Sequence, residues 1–471
     1  MEHRSDIFVN GSWVPSAGDG TIPVVNPATE ETIATVPRGN SADVDQAASA
    51  AADAFASWSR TSPAERARVF ARLADLVSQN SEEITKTIVS EVGYPASIAK
   101  TTQTAGAVDE LRIIADSLAE ISWTEQIGNT TIHREPSGVV GAITAWNAPL
   151  RSIVSKAGAA IAAGCTVVLK PSEVAPLAGY KFVELAVEAG MPAGVLNMVS
   201  GTGPEVGEPI AAHPLIDMVS LTGSVRAGRR VMQVAAETIK RVHLELGGKS
   251  ANIILADADL ARAVEVGVED GFRNAGQVCG GLTRILVPHD RLREAEEIAV
   301  AKARSYVLGD PFGPATTLGP VATAEAYKRV RNYIDIGLGE GARLLTGGTE
   351  RPAGLEHGYF IQPTVFTGDN AMRIAQEEIF GPVLVIIPFG DEDEALSIAN
   401  DSPYGLAGAI WAGDTGHAHA LAQRLRVGRI RINGAPLDKR GTHGGFKLSG
   451  VGREWGRIGI EEFLEYKSVI G

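Results

Sequence analysis

Residues 139–144 read VVGAIT, a short apolar run that predicts a buried strand. Similar runs follow at 166–169, 195–199 and 218–221, and stretches that predict helices separate them. Short apolar strands that alternate with helices indicate an α/β fold with a parallel, doubly wound sheet. Open sheets of this kind bind ligands at the carboxyl ends of their strands, so the residues that follow these runs are candidate site residues.

Length and composition limit the classes of protein that this chain can belong to. A chain of 471 residues is too long for one core, so two or three domains are expected. The net charge of −13 argues against nucleic acid and anionic membranes as partners, and no apolar run is long enough to span a bilayer. Two cysteines cannot make a disulfide framework, and the first residues lack a signal-peptide pattern, so we expect a cytoplasmic enzyme. Because no His/Cys cluster has metal-ligand spacing, no metal is expected.

Two segments carry the candidate chemistry. Glu245 lies in HLELGGK, residues 243–249, and Cys279 lies in NAGQVCGG, residues 274–281. A cysteine flanked by glycines can meet a carbonyl carbon, because the backbone around it can approach closely. A glutamate from a second segment can then act as base on a water, which suits covalent capture of a carbonyl followed by hydrolysis of a thioester. The other cysteine, Cys165, is interpreted as an inert buried thiol.

Three further segments at strand ends indicate a nucleotide site. Residues 201–207 read GTGPEVG, a glycine fingerprint whose third glycine comes one residue late. Lys170 and Glu173 close one strand, where a lysine and a carboxylate suit the hydroxyls of a ribose. Ser224 follows another strand as a helix cap, and a helix N-terminus favours a phosphate. Taken singly, each segment is equally an ordinary turn or a simple helix cap.

With these segments, the chain resembles the NAD(P)-dependent aldehyde dehydrogenase superfamily from about Phe8 to Val469. The resemblance implies that Cys279 is the nucleophile and that Glu245 activates the water that hydrolyses the thioester. It also implies that Asn147 and the Cys279 N–H hold the oxyanion of the tetrahedral intermediate. Lys156 and Glu454 either relay protons from Glu245 to solvent or form a plain salt bridge.

The resemblance implies three structural units. We place an NAD-binding domain with a Rossmann-like variant fold at 1–121 and 137–247, and an α/β catalytic domain at 248–445. A small β oligomerisation segment is expected at 122–136 and 462–471. The expected partners are a small-molecule aldehyde and further copies of the chain, in a dimer or a tetramer between which the sequence does not decide.

The cofactor implied by the resemblance is NAD. Glu173 should accept a hydrogen bond from the 2′-hydroxyl of the adenine ribose and disfavour the 2′-phosphate of NADP, which stays possible but is less favoured. Glu378 is expected at the nicotinamide ribose and Phe380 beside the nicotinamide. The full set of predicted cofactor-binding residues is Trp146, Lys170, Glu173, Gly203, Gly223, Ser224, Leu246, Glu378 and Phe380.

Substrate size is indicated by the helix after Asn147, which lines the aldehyde tunnel in the family. Ala148, Ser152 and Ser155 share one helix face and are all small. A wide tunnel suits a bulky aldehyde of the aromatic, terpenoid or long-chain kind. Arg151 is expected to face away from the tunnel, because an unpaired buried guanidinium is costly.

Two other functions stay open. An acylating dehydrogenase would pass the acyl group from Cys279 to coenzyme A and would need no base for water, so Glu245 favours hydrolysis. A non-catalytic binding or structural protein could use the same fold. Retention of Cys279, Glu245 and Asn147 together argues against it. The sequence does not name the aldehyde.

Overall fold

The structure is a computed structural model that describes residues 2–471. Met1, the first residue of the predicted NAD-binding domain, lies outside the described residues. Two large sheets and two sheets of three strands organise the chain. None of the helices within residues 2–471 combines the length and the apolar character needed to cross a lipid bilayer.

The first large sheet has eight strands and confirms the predicted doubly wound pattern. Five central strands are parallel, and the strands at both edges pair antiparallel. In spatial order the strands are Gly450–Val451, Arg241–Glu245, Met218–Thr222, Val139–Ile143, Thr166–Lys170, Leu196–Met198, Asp6–Val9 and Ser12–Pro15. The four predicted strands are present, and Arg241–Glu245 is a further parallel strand that was not predicted.

Helices pack around this sheet. Their bounds are Ser41–Trp58, Pro63–Gln79, Ser81–Val92, Ala96–Ala99, Ala105–Ser117, Leu177–Glu188, Glu208–Ala212 and Val225–Ala235, with π-helical turns at Lys100–Thr104 and Gly203–Gly207. The sequence predicts a capping box at Ser62 and Glu65, and the structure contains it. The sequence also predicts Ser41 as the cap of the first helix, which is wrong, because Asn40 holds the cap position and forms a capping box with Asp43.

The helix that follows Asn147 changes its winding where it passes the site. Pro149–Ile153 and Ala159–Ala163 are α-helical, and Val154–Gly158 between them is π-helical. Short π-helical turns inside α-helices occur often at functional sites, because they alter the direction of the side chains they carry. Here the turn carries Lys156, which is fully buried.

The second large sheet has seven strands and its own core of buried aliphatic and aromatic side chains. Its strands in spatial order are Arg343–Thr346, Thr364–Thr367, Val383–Phe389, Arg284–Pro288, Ala251–Ile254, Ala407–Trp411 and Arg429–Ile432. Only the Arg343–Thr346 strand pairs antiparallel. The associated helices are Leu260–Phe272, Leu292–Arg304, Ala324–Gly339, Arg373–Gln376, Glu392–Asn400 and Thr415–Ala422.

Two small sheets of three strands each complete the fold. One joins Thr124–Ile127, Thr130–Pro136 and Leu464–Ile470, with the short helix Gly456–Glu461 before the last strand. The other joins Glu2–His3, Thr21–Val25 and Thr32–Pro37. Strand pairing thus groups residues much as the predicted units do, while the domain boundaries themselves stay predictions.

Candidate active site

Two cavities share Cys279 in their walls. The larger measures about 880 Å³ and the smaller about 390 Å³. Asn147 follows the strand Val139–Ile143 and also lines both cavities, and Glu245 ends its strand in the wall of the smaller one. The structure therefore brings the three predicted catalytic residues to one place, at the carboxyl edge of the first large sheet.

The turn that carries Cys279 is tightly wound. Asn274 and Ala275 have left-handed backbone angles with φ of 51° and 52°, which side-chain-bearing residues rarely adopt. Gly276 follows with φ of 74°, and a Cβ there would stand 1.9 Å from the carbonyl oxygen of Gly381. Such strain persists only where the surroundings enforce it. Here the close backbone contact enforces it and presents the next residues to the cavities.

Asn147 is tied to this turn from the opposite sheet. Its side-chain Nδ2 donates to the backbone carbonyl oxygen of Gln277 at 2.9 Å, and its backbone carbonyl oxygen accepts from the Tyr94 hydroxyl at 3.1 Å. An amide nitrogen carries two hydrogens, so one remains for the cavity. No hydrogen bond among residues 2–471 uses the N–H of Cys279. Two donors can therefore meet a carbonyl oxygen beside the thiol.

Glu245 is almost completely buried, at 3% exposure, and neither carboxyl oxygen has a hydrogen-bond partner within the described chain. Burial, and after it the nearby Glu454, raise the pKa of Glu245 well above its usual range. Burial thus favours the neutral form of this carboxyl in the resting site. His243 Nε2 lies 3.8 Å from one oxygen and His443 Nε2 lies 3.6 Å from the other.

A buried ionic network lies behind Glu245. Lys156 Nζ donates to Glu454 Oε1 at 2.8 Å and to Ser220 Oγ at 3.2 Å. Ser220 Oγ is in turn 2.7 Å from His243 Nδ1. The salt bridge between Lys156 and Glu454 is thus present, and it continues through a serine to an imidazole beside Glu245. Sequence reasoning named the salt bridge and missed the serine and the histidine.

All nine predicted cofactor-binding residues line the larger cavity; they are Trp146, Lys170, Glu173, Gly203, Gly223, Ser224, Leu246, Glu378 and Phe380. Lys170 Nζ donates to Glu173 Oε2 at 2.9 Å at the end of their strand. Ser224 caps the helix Val225–Ala235 and accepts from the Ala227 N–H at 3.2 Å. The free N–H groups at this helix start and the Lys170–Glu173 pair suit a phosphate and a ribose.

The other end of the larger cavity reaches the thiol. Glu378 Oε1 accepts from the Gly248 N–H at 3.0 Å, and burial raises the pKa of Glu378 to about 7. The Phe380 ring meets the Trp146 ring edge-on, with centroids 5.6 Å apart. Phe380 and Trp146 form a mostly apolar surface beside the Glu378 carboxyl group, which suits a nicotinamide riboside. Within residues 2–471 there is no cluster of His, Cys, Asp or Glu arranged to hold a metal ion.

The smaller cavity has the small wall predicted for it, since Ala148, Ser152 and Ser155 all line it. The prediction that Arg151 faces away is wrong, because Arg151 lines the same cavity. Its Nε and Nη2 donate to Glu110 Oε1 at 2.9 and 2.6 Å. The cost of an unpaired buried guanidinium therefore does not arise.

Several cavity residues were not anticipated. Arg429, His443 and Trp455 line the smaller cavity, and the His443 ring stacks on Trp455 with centroids 4.6 Å apart. His443 and Trp455 lie in irregular segments that carry no periodic signal. His243 had one, because residues two apart on a strand point to the same side, and His243 precedes Glu245 by two.

Comparison with known proteins agrees with this geometry. The model of the aldehyde dehydrogenase family matches residues 13–469. A curated relative from Pseudomonas sp., 3-succinoylsemialdehyde-pyridine dehydrogenase, is 47% identical over 100% of this chain and 99% of its own length. A mutant of aldehyde dehydrogenase C from Pseudomonas syringae, solved with NAD+ and octanal, superposes with a TM-score of 0.98 at 47% identity, covering 99% of this chain and 96% of that one. Mycobacterium tuberculosis aldehyde dehydrogenase, solved with NAD+, gives 0.97 at 43% identity, over 100% and 98%. The chain therefore belongs to the aldehyde dehydrogenase family.

Proposed function

We propose that this protein oxidises a bulky aldehyde to the carboxylic acid with NAD, through a thioester on Cys279. The observation that carries the proposal is the shared wall of the two cavities. Cys279 faces both the cavity that fits a dinucleotide and the cavity that holds Glu245. A nucleophile at that junction can bind a carbonyl carbon while a hydride acceptor lies on its other side.

The larger cavity fits NAD on three counts. Its volume of about 880 Å³ is large enough for an extended ligand. The helix start at Ser224 offers N–H groups to the pyrophosphate, and Lys170 and Glu173 can bind the adenine ribose. Glu378 and Phe380 lie where the nicotinamide riboside would meet Cys279. NAD, when bound, accepts the hydride from the carbon attached to sulfur.

Activation of the thiol is the first requirement on the chain. Burial, followed by the charges of Glu245 and Glu378, raises the pKa of the Cys279 thiol to about 11. The thiolate is the reactive form, so the resting thiol is unreactive near neutral pH. A positive charge next to the sulfur would reverse this shift. A bound nicotinamide cation would supply such a charge beside Cys279 if it occupied the end of the larger cavity that Glu378 and Phe380 line.

The remaining steps use the chain's own groups. Sγ of Cys279 bonds to the carbonyl carbon, and the oxygen that becomes negative accepts hydrogen bonds from Asn147 Nδ2 and the Cys279 N–H. After hydride loss the carbon is a thioester. A water then attacks it while Glu245 takes a proton from that water, and the C–S bond breaks to release the carboxylic acid and the thiolate.

The proposal names a bulky substrate because of the small side chains on one wall. Ala148, Ser152 and Ser155 leave room along that wall in a cavity of about 390 Å³. One relative is named for a pyridine-bearing semialdehyde, and one similar structure contains octanal. Both are longer than a two-carbon aldehyde, which supports a ring-bearing or long-chain substrate here.

A homo-oligomer is part of the proposal. The strand Leu464–Ile470 lies at one edge of its small sheet and exposes Tyr466, Val469 and Ile470 at 66%, 49% and 72%. A strand at a sheet edge with exposed apolar side chains favours pairing with another strand, and a second copy of the chain would supply one. The proposed location is the cytoplasm, where a free reactive thiol stays reduced.

The raised thiol pKa gives the first prediction. The rate of alkylation by iodoacetamide, measured without NAD, should keep rising above about pH 9 towards a midpoint near about 11. Cys279→Ala should abolish the reaction, because Cys165 is fully buried and serves as the internal control. A rate that levels off below about pH 8 would contradict the raised pKa.

The second prediction separates acylation from hydrolysis. Cys279→Ala should abolish aldehyde oxidation while NAD binding, measured by calorimetry, stays nearly intact. Glu245→Gln should keep a stoichiometric burst of NADH and slow the following turnover by about a hundredfold or more. Loss of the burst in Glu245→Gln would assign Glu245 to thiol activation instead. If coenzyme A restored turnover in wild-type enzyme that otherwise stalled, the acylating alternative would be correct.

The third prediction concerns cofactor choice. Glu173 places a carboxylate beside the 2′-position, so kcat/KM should be higher with NAD than with NADP. Glu173→Gln removes the charge and should narrow that ratio by about tenfold, the factor for ~1.4 kcal/mol of lost repulsion. The reading is the ratio of kcat/KM for the two cofactors in both proteins. A wild-type preference for NADP would rule the idea out.

The fourth prediction concerns substrate size. Each methylene that contacts the cavity wall contributes about 0.8 kcal/mol, so acetaldehyde should be a poor substrate. We expect kcat/KM for benzaldehyde, citral or decanal to exceed that for acetaldehyde by at least about tenfold. The four aldehydes are compared at saturating NAD. Acetaldehyde as the best substrate of the four would mean that the small wall does not set substrate size.

A further inference from the structure

Glu245 lies between the imidazole rings of His243 and His443, and each ring presents its Nε2 to one of the two carboxyl oxygens. His243 Nε2 is 3.8 Å from Glu245 Oε1, and His443 Nε2 is 3.6 Å from Glu245 Oε2. Each ring therefore turns the same nitrogen towards a different oxygen of one carboxyl. What the rings can do depends on which nitrogen carries the proton in each ring.

The tautomer of His443 follows from Arg429. Arg429 Nη1 lies 3.2 Å from His443 Nδ1. A guanidinium has only hydrogens to offer, so Nδ1 must accept, and the ring proton of neutral His443 is on Nε2. Burial, and after it Arg429, lower the pKa of His443 well below its usual range, which keeps the ring neutral. The Nε2–H then points at Glu245.

The tautomer of His243 is assigned from Ser220. Ser220 Oγ accepts from the ammonium of Lys156 at 3.2 Å, and the serine hydrogen has no acceptor among the described residues other than His243 Nδ1 at 2.7 Å, so Nδ1 is assigned as the acceptor. Burial, and after it Lys156, lower the pKa of His243 well below its usual range. Its Nε2 has no hydrogen-bond partner among the described residues and also carries the ring proton towards Glu245.

We propose that His243 and His443 are positioning residues that hold the ionised Glu245, with one imidazole N–H for each carboxylate oxygen. The proposal rests on Glu245 being the base in thioester hydrolysis. Neutral Glu245 gains little from these donors, which agrees with its unpartnered oxygens. The carboxylate gains two charge-assisted hydrogen bonds. The present separations are longer than hydrogen bonds, and catalytic contacts of this kind tighten as the reaction proceeds.

Other charged groups also act on Glu245, and they do not discriminate between its two oxygens. The charged and titratable groups that face Glu245, His243 or His443 are Lys156, Glu454, Arg453, Arg429, Arg151, Arg241 and Cys279. None of these groups places a nitrogen within 4 Å of a Glu245 oxygen in the described chain, whereas both histidines do. The test must therefore remove the N–H groups without changing any of these charges.

Asparagine and glutamine make a matched pair at each histidine. His→Asn keeps a polar atom near Nδ1 and removes the group at Nε2, whereas His→Gln places an amide N–H at the reach of Nε2. Neither substitution changes the charge of a neutral ring. The probe is 4-nitrophenyl acetate in the presence of saturating NAD, because this ester acylates the thiol directly and has no hydride to transfer. The burst of nitrophenolate counts acylated Cys279, and the linear phase that follows reports thioester hydrolysis.

His243→Asn and His443→Asn should each keep a stoichiometric burst and slow the linear phase by about tenfold at neutral pH, the effect of one lost hydrogen bond to a charge. The pH at which the linear phase reaches half its maximum should rise by about one unit, since Glu245 would lose its preference for the charged form. The two Gln variants should stay within about threefold of wild type, with the half-maximum unmoved.

Two results would overturn the inference. Asn variants whose half-maximum does not move would show that the rings only line the site. In wild-type enzyme labelled with ¹⁵N-histidine, the nitrogen shifts of His243 and His443 should report a proton on Nε2, and a proton on Nδ1 would refute the tautomers whether or not any variant folds. The Glu245→Gln variant separates the two proposals. A normal linear phase in this variant would reject Glu245 as the base. A slow linear phase in this variant, together with unaffected His→Asn variants, would reject only the positioning role of His243 and His443.

Discussion

The site depends on a backbone approach at Gly247 and Gly248. These residues lead from the strand that ends at Glu245 to the first strand of the second sheet. A Cβ at Gly247 would stand 2.1 Å from Glu378 Oε2, and a Cβ at Gly248 would stand 2.5 Å from the carbonyl oxygen of Cys279. Any side chain here would push the two sheets apart. Because Gly247 and Gly248 have no side chains, the Cys279 thiol of the second unit can lie at the strand ends of the first large sheet.

The same close packing raises the pKa of the reactive groups. Glu245 is buried, Cys279 and Glu378 are partly exposed in the cavity walls, and burial is the first cause of each raised pKa. The charged form of each group is then favoured only where a ligand or a hydrogen-bond donor stabilises it. In the proposed mechanism, Glu245 loses its proton only when its carboxylate is stabilised by His243, His443 and the buried ion pair of Lys156 and Glu454.

Local patterns in the sequence were enough for four of the parallel strands of the first sheet, because apolar runs such as 139–144 favour burial. Residues at the ends of neighbouring parallel strands converge whatever their distance in the chain, which is why Lys170 and Ser224 could be predicted together. Glu378 and Phe380 were predicted only from the family resemblance. The strand Arg241–Glu245 was not predicted, because its first residues are polar or only half-buried.

What could not be predicted depends on partners that are distant in sequence. Arg151 was expected to face away because no partner was visible near it. Its partner, Glu110, lies 41 positions earlier, on the helix Ala105–Ser117, to which no functional residue had been assigned. His443 likewise takes its role from Arg429 and Trp455, which reach it from separate segments. Ion pairs and stacked rings between elements leave no periodic trace, whereas the two-residue spacing of His243 and Glu245 did leave one.

The pairing of Arg151 also decides what that residue does to the substrate. Glu110 Oε1 accepts both hydrogen bonds from Arg151, and Lys439 Nζ lies 3.4 Å from the same oxygen. Glu110 balances one of these two positive charges, and a carboxylate-bearing aldehyde would have to displace this buried glutamate to reach Arg151, a competition that favours the intramolecular pair. Arg151 therefore acts on the smaller cavity mainly through its bulk, and its paired charge adds little preference of its own for an acidic substrate.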